Sequence, residues 1–423
     1  MSDNKGAGEQ IGVVEQNGLG AKNTLGVANE TPSTQCDYYG FPLDLTEEDV
    51  AVRNACRLKQ MRKTAAWSMY SNPANVKPHS KSLKRLTRKG VPPQLRPEIW
   101  YHVSGAAKRQ ALAGKGYYAD ILRAHEGQVT RNTQVIDLDL PRTFPNNVFI
   151  NSAEGMQSMR RVLIAFSFHN EQIGYCQALN YIAGMLLLVM HDEEKAFWVL
   201  TVLLEDILYR NCHAQDLVGC HVEQRVLKHL LEKKMAKLAR YLDELHCDIS
   251  IIATEWLLTV YIKSLPSETA ARILDSVFQE GSKVLFRIAL AILKLNEEAL
   301  LTSAHMGDIV ERLQRFTTHL HGRDRLMKVA FNGVGSLGMK KIVHSRSIHQ
   351  QVVDHELAER AKRMGRPKTE QDSVSIPASS SIQQRAGAQQ DTPQMRQMPT
   401  GNGWPMGLGT AFTNPLSDAE SLP

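Results

Sequence analysis

The sequence predicts an all-α fold. Between about residue 80 and residue 331, apolar residues recur at three- and four-residue steps in one segment after another, and no stretch sustains a two-residue alternation. The segments are punctuated by helix signals, with Ser, Thr, Asp or Asn at their starts and Gly or Pro at their ends. With 423 residues, 43% hydrophobic and 22% charged, the chain has globular composition and room for one large domain with tails, or for two domains.

Residues 1–36 are rich in Gly, Asn, Gln and Thr and lack periodicity, so they read as a disordered tail. Residues 37–79 form a partly helical extension. The aromatic patch Asp37–Phe41 reads as a packing tether, and Thr46 caps a helix whose first turn holds Glu47, Glu48 and Asp49. Val52–Tyr70 continues as a basic helix, and Asn72–His79, with Pro73 and Pro78, is a linker. The main domain spans 80–331. Its first helix, Ser80–Lys89, lines Lys81, Lys84, Arg85, Arg88 and Lys89 along one face. That face reads as solvated in preference to a surface attracting acidic lipid or a partner. Gly90 to Pro93 break this helix, and Arg96 and Trp100, four apart, share the face of the next.

Ile136–Pro145 reads I-D-L-D-L-P-R-T-F-P. Flanking prolines place Arg142 on a stiff loop, within reach of the Asp139 carboxylate. Asn151–Phe168 is an amphipathic helix with Asn151 as cap and Glu154 at its third position; Met156, Met159, Val162, Leu163 and Phe166 form its core stripe. Gly174–Gln177 is a turn, and Gln177 opens an apolar helix that runs to Met190. Asp192 caps the next, which is apolar nearly all round. Further helices cover Val222–Leu245, Ile249–Lys263, Thr269–Gln279 with Gly281 as its stop, Ser282–Leu295, Asn296–Leu301 and Met306–Thr317. Residues 332–423 read as a mostly disordered tail, Gly- and Ser-rich to His349, with a short charged helix over Val352–Arg363.

Several function classes find no support. The formal charge of +6 is mild, and much of it is local, so it does not indicate nucleic acid. The single R-M-G-R-P-K at Arg363–Lys368 is set aside as a frequent accident of a disordered tail. Cys212-His213 and Cys220-His221 fit no standard zinc spacing. Gly114-Lys115-Gly116 lacks the phosphate-loop spacing, and neither G-x-S-x-G nor H-E-x-x-H occurs. Six cysteines and a polar N-terminus suit reduced thiols in the cytosol, and no apolar run reaches membrane-spanning length.

Three motifs in order carry a resemblance. Arg96 and Trp100 fit R-x-x-x-W; Ile136, Asp139 and Arg142 fit I-x-x-D-x-x-R; Tyr175 and Gln177 fit Y-x-Q. With the blocks Glu255–Pro266 and Glu280–Leu290, the stretch from about Lys84 to about Phe316 resembles the TBC domain, the catalytic module of GTPase-activating proteins for Rab GTPases. The resemblance implies a V-shaped fold of two helical subdomains, with Arg142 and Gln177 in the first. It implies that both are supplied in trans to a GTP-bound Rab. Arg142 stabilises transition-state charge, and Gln177 orients the attacking water or replaces the Rab's own Gln. Asp139, Tyr175, Arg96 and Trp100 take supporting roles. The chain is then expected to have no GTPase activity and no cofactor of its own, since GTP and Mg²⁺ come with the Rab. The setting is vesicle traffic, in the cytoplasm and peripherally at endomembranes. The alternative is a Rab-binding scaffold without catalysis, which needs neither Arg142 nor Gln177. Ala178 departs from the family, which usually has Gly after the Gln.

Overall fold

A computed structural model describes residues 36–72 and 75–365. The tail at 1–35, the Pro73 end of the linker, and residues 366–423, which include the end of the R-M-G-R-P-K stretch, lie outside the described residues. Eighteen α-helices occur among the described residues, with no strand; Cys36 and Pro42 form one isolated bridge.

The extension contributes α1 (Glu47–Lys63), followed by a 3₁₀ segment, Thr64–Ser71, and α2 (Lys81–Lys89) opens the main domain. A first group of helices follows: α3 (Arg96–Ser104), α4 (Ala106–Ala113), α5 (Tyr117–Ala124), α6 (Arg131–Asp139), α7 (Ala153–His169), α8 (Leu179–Met190) and α9 (Glu193–Val202). The second begins with α10 (Val218–Lys234), α11 (Ala236–Glu244), α12 (Ser250–Leu258), α13 (Ser267–Glu280) and α14 (Lys283–Leu295). It ends with α15 (Glu297–Leu300), α16 (Met306–Thr318), α17 (Arg323–Lys328) and α18 (Met339–Gly365). Helices α7, α8 and α9 pack on one another, and α10 packs on α11, α12 and α18. Helix α13 joins the groups by lying against α2, α3 and α14.

Local chemistry sets the helix ends. Thr46 and Asp49 form a reciprocal capping box at α1. At α7 the cap is Ser152, one residue later than the sequence suggested, because the Ser152 hydroxyl accepts the Gly155 N–H at 3.0 Å. Asp192 caps α9 and Gly281, at φ +81°, closes α13.

Three expectations change. Val222–Leu245 is two helices, broken at Met235, whose φ of −142° leaves the helical region. Ile249–Lys263 stops being helical after Leu258, because Val260 and Tyr261 adopt left-handed φ values of +51° and +66°. A β-branched residue resists that conformation; here burial of both residues and a 2.7 Å bond from the Tyr261 hydroxyl to the Leu285 carbonyl hold it. Third, the 332–423 region is not tail from its start. Helix α18 lies on α10, with Ile342 and Val353 buried and Arg346 donating from Nε and Nη2 to Glu223 at 2.7 Å each.

The extension also joins the core. Trp67 and Tyr70 are buried beneath the 3₁₀ segment, and Tyr39 of the aromatic patch is buried too.

Candidate functional site

Helix α6 ends at Asp139, and Pro141 tightens the next residues, Leu140–Arg142, into one 3₁₀ turn. The Asp139 carboxylate is fully buried, a costly place for a charge unless it is paired and hydrogen-bonded. Both of its oxygens are used. Oδ1 accepts from Arg142 Nη2, and Oδ2 accepts the Tyr175 hydroxyl at 2.5 Å. Burial, then this bond to Asp139, pushes the Tyr175 phenol well up, so it remains a donor at physiological pH. The Arg142 side chain is 55% exposed. A buried anchor thus orients a guanidinium that still faces solvent.

The same buried network reaches the Gln177 turn. The Thr143 hydroxyl donates to the Asp139 carbonyl at 2.7 Å and accepts from Asn180 Nδ2 at 2.7 Å. Asn180 Oδ1 in turn accepts the Ala178 N–H at 3.2 Å. Gln177 lies in the turn just before α8, two residues ahead of the helix start, and is half-buried. The turn begins at Gly174, at φ +58°, where a Cβ would come within 2.6 Å of Asn132 Nδ2 on α6. The left-handed backbone favours glycine here, and a Cβ would also push the Asn132 amide aside. Ala178 holds φ +138° with ψ −29°, a strained conformation for a residue with a Cβ. Its methyl is buried in a small cluster with Cys212, Cys220 and Leu258.

Aromatic rings back the Arg142 loop. Phe144, at φ +48°, packs edge-on to Tyr181 at 5.3 Å and to Phe41 at 4.9 Å. Gly184 on α8 leaves room for this ring, since a Cβ there would be 3.2 Å from it. Asn147 on the same loop donates to the Tyr39 carbonyl at 2.8 Å. The 37–41 patch is thus a tether that reaches the Arg142 loop.

Arg96 and Trp100 do not join this cluster through any direct bond. They converge on Asp275 of α13, where Arg96 Nε and Nη2 donate at 2.9 and 3.0 Å and Trp100 Nε1 donates at 2.8 Å. Arg96 Nη1 donates to the Tyr39 hydroxyl at 2.5 Å. Burial alone would lower the Arg96 pKa; Asp275 and Tyr39 outweigh it and hold the guanidinium above its ordinary value. Burial pushes the Tyr39 phenol up to about 12.

Sequence reasoning missed Thr143, Asn180, Tyr181 and Lys263. The left-handed Val260-Tyr261 turn brings the Lys263 ammonium to 5.8 Å from the Tyr181 ring centre, and Lys263 also bonds Glu255 at 2.6 Å. The only signal was membership of the Glu255–Pro266 block. Leu138 and Val148, on either side of Arg142 in the chain, are 74% and 79% exposed. The Cys212-His213 pair is structural: His213 is buried with Nε2 2.8 Å from the Leu258 carbonyl oxygen. Among the described residues, no grouping of three or more His, Cys, Asp or Glu is placed to hold a metal. No described helix is long and apolar enough to cross a membrane.

An all-α domain that hangs an exposed arginine and a glutamine turn on one buried carboxylate network narrows the class, and comparison with known proteins identifies it. Residues 93–301 match the family model of the Rab-GTPase-TBC domain. Human growth hormone-regulated TBC protein 1 is 31% identical over 318 residues, covering 73% of this chain and 93% of that protein. Rat TBC1 domain family member 2A is 39% identical over 285 residues, covering 66% of this chain. The chain spans about 30% of the length of this and the other TBC1 domain family member 2A proteins it matches. The crystal structure of the Chlamydomonas flagellar RabGAP TBC domain superposes with a TM-score of 0.66 at 36% identity, covering 70% of this chain and all of that one. The chain belongs to the Rab-GTPase-TBC domain family.

Proposed function

We propose that this protein accelerates GTP hydrolysis by a GTP-bound Rab-family GTPase, with Arg142 and Gln177 supplied in trans. The observation that carries the reading is the Asp139 network. It holds Arg142 by one guanidinium nitrogen, Nη2, leaves the rest of the guanidinium to a partner, and runs through Thr143 and Asn180 to the turn that presents Gln177.

Each residue has a distinct task. Arg142 meets the charge that builds on the equatorial phosphoryl oxygens, where a planar fork suits the geometry. The Gln177 amide, which bonds no described side chain, orients the attacking water or replaces the Rab's own Gln. Tyr175 and Asp139 fix the arginine before the Rab arrives, so less order is lost at the transition state. Exposed Leu138 and Val148 offer apolar contact for the Rab surface around the nucleotide. GTP and Mg²⁺ belong to the Rab, and this chain supplies no nucleotide site. The setting is vesicle traffic on cytoplasmic membrane faces.

The test is affinity for a cognate Rab holding GDP, GDP with aluminium fluoride, or a non-hydrolysable GTP analogue. Aluminium fluoride imitates the phosphoryl group in transfer, and a catalyst is complementary to that state. The fluoride complex should be tightest, and Arg142→Ala and Gln177→Ala should each weaken it selectively. Equal affinity for the fluoride and GTP-analogue forms, unchanged by either substitution, would leave a scaffold that reads only the GTP-ordered switch surface.

A further inference from the structure

Charge along this chain is uneven. Residues 50–97 hold 12 Lys and Arg and no Asp or Glu, against +6 for the whole protein. The rest of the chain is therefore net acidic, and the basic excess sits mainly in α1 and α2, on either side of the 3₁₀ segment.

Part of that charge is structural. Arg53 pairs with Glu268, Arg96 with Asp275, and Lys84 and Arg88 with Glu280; Asp324 stands 4.0 Å from Lys59. Lys63 is half-buried and donates to a backbone carbonyl, and Arg57, Arg62, Lys77, Lys81, Arg85 and Lys89 remain. These six are exposed, and none pairs with an acid among the described residues. Lys81, Arg85 and Lys89 are four apart and form the outer row of α2. That row borders the preceding segment. The Tyr70 hydroxyl donates to Ser82 Oγ at 3.3 Å, and the Lys63 ammonium donates to the Lys89 carbonyl at 3.4 Å.

Large apolar side chains stand among these cations. Leu58 and Met61 on α1 and Met69 on the 3₁₀ segment are 53%, 60% and 59% exposed. Their neighbours Trp67 and Tyr70 are buried, so the segment is firmly seated and these three are turned outward. A merely solvated helix face mixes both charge signs and keeps long apolar side chains inward. Here one sign of charge is interleaved with flexible apolar groups, the composition that settles at the headgroup boundary of an anionic bilayer. A nucleic acid would use the cations but give the Leu and Met side chains nothing to enter.

We infer that the outer face of α1, the 3₁₀ segment and α2 docks on an anionic phospholipid surface, with Leu58, Met61 and Met69 entering the interface and Arg57, Arg62, Arg85 and Lys89 facing the headgroups. The acids of the first α1 turn, Glu47, Glu48 and Asp49, lie at the far end of that helix. None of the side chains named for this face hydrogen-bonds to, or forms an ion pair with, Arg142 or Gln177.

The test is flotation of the full chain, without Rab, on vesicles of phosphatidylcholine alone or with about 30% phosphatidylserine. Binding should require phosphatidylserine and weaken between about 0.1 and about 0.5 M salt. One basic residue near such a surface contributes roughly fivefold in partitioning, so Arg57→Glu with Arg62→Glu, or Arg85→Glu with Lys89→Glu, should lower it by at least about tenfold. Leu58→Ser with Met61→Ser should lower it at low salt as well, which a purely electrostatic attraction does not predict. Each variant should keep the wild-type melting temperature within about 2 °C and the wild-type rate with soluble Rab. Absence of flotation, equal flotation on neutral vesicles, or wild-type flotation by all three folded variants would overturn the inference. So would tight binding to duplex DNA or RNA that is blind to the Leu58 and Met61 changes while vesicles are ignored.

Discussion

Two buried aspartates each hold an arginine in this molecule, and they hold them for different ends. Asp275 and Arg96 are both sealed, at 0% and 3% side-chain exposure, and the guanidinium donates to Asp275 and to Tyr39. Asp139 is equally sealed, yet Arg142 is 55% exposed and gives it a single nitrogen, Nη2. Pairing chemistry is the same at both sites; what differs is how much of the arginine's donor set the protein itself consumes. At Asp275 three donors from α3 converge with the Val91 N–H on one carboxylate, tying α3 to α13. At Asp139 the carboxylate fixes one end of an arginine whose other donors point outward. Donors left over after the fold has taken its share are what make Arg142 a candidate contact for the proposed partner.

The largest effect should come from removing the open arginine. Arg142→Ala should cost about 10³–10⁵ in Rab-stimulated hydrolysis, roughly 4–7 kcal/mol of barrier, and leave the melting temperature nearly unchanged. Arg142→Lys should recover little, because an ammonium lacks the fork. Single-turnover hydrolysis with a cognate Rab measures this. A wild-type rate from Arg142→Ala would end the finger assignment.

Arg96→Ala should show the opposite pattern. It strips the buried Asp275 of its bidentate partner and should cost about 3–5 kcal/mol of stability. The loss of rate should follow the fraction folded. Chemical denaturation beside the rate assay separates the two arginines. A stable Arg96→Ala protein with a slow rate would place Arg96 in the chemistry and break the contrast.

Asp139→Asn probes the anchor itself. Asn keeps the shape but loses the charge that Arg142 and Tyr175 both address, and one of its two polar atoms becomes a donor. Stability should fall by about 1.5–3 kcal/mol, and the rate per folded molecule should fall less than with Arg142→Ala. If Asp139→Asn equals Arg142→Ala in rate loss, the arginine works only when held.

Much of this architecture was legible in the sequence, for identifiable reasons. Helix identity follows from apolar periodicity and from caps such as Thr46 and Asp192, which act within a few residues. Arg142 and Tyr175 stood out because their motifs are short and local. Partners distant in sequence were not legible: nothing near Arg96 indicates that Asp275 receives it, 179 residues on. Left-handed turns escaped when built without glycine, as at Val260-Tyr261, because packing alone imposes them. The second half of α18 was legible as a charged helix over Val352–Arg363, but its first half was missed because the core contacts there, Ile342 and Arg346, include a charged residue that the apolar pattern counts as exposed.

The smallest expected effect concerns Ala178, beside Gln177. At φ +138° its methyl forces a conformation that costs an L-residue about 1–3 kcal/mol. Ala178→Gly would release that strain. It would also lose the burial of one methyl among Cys212, Cys220 and Leu258, about 0.8 kcal/mol. The freer unfolded chain would cost a further 0.5–1 kcal/mol or so. These terms nearly cancel, so the stability change should lie within about 1 kcal/mol of zero. Ala183 on α8 is the control, fully buried but inside a regular helix. Ala183→Gly loses the same methyl and pays about 1 kcal/mol of helix propensity with no strain to recover, roughly 2 kcal/mol in all. The difference between the two substitutions reads out the strain stored behind Gln177. Equal destabilisation at both positions would mean that the Ala178 conformation costs nothing and that the turn is held by packing alone. A smaller loss at Ala178, with a Rab-stimulated rate within about threefold of wild type, or about 0.7 kcal/mol, would show strain that the Asp139 network carries without spending it on the chemistry.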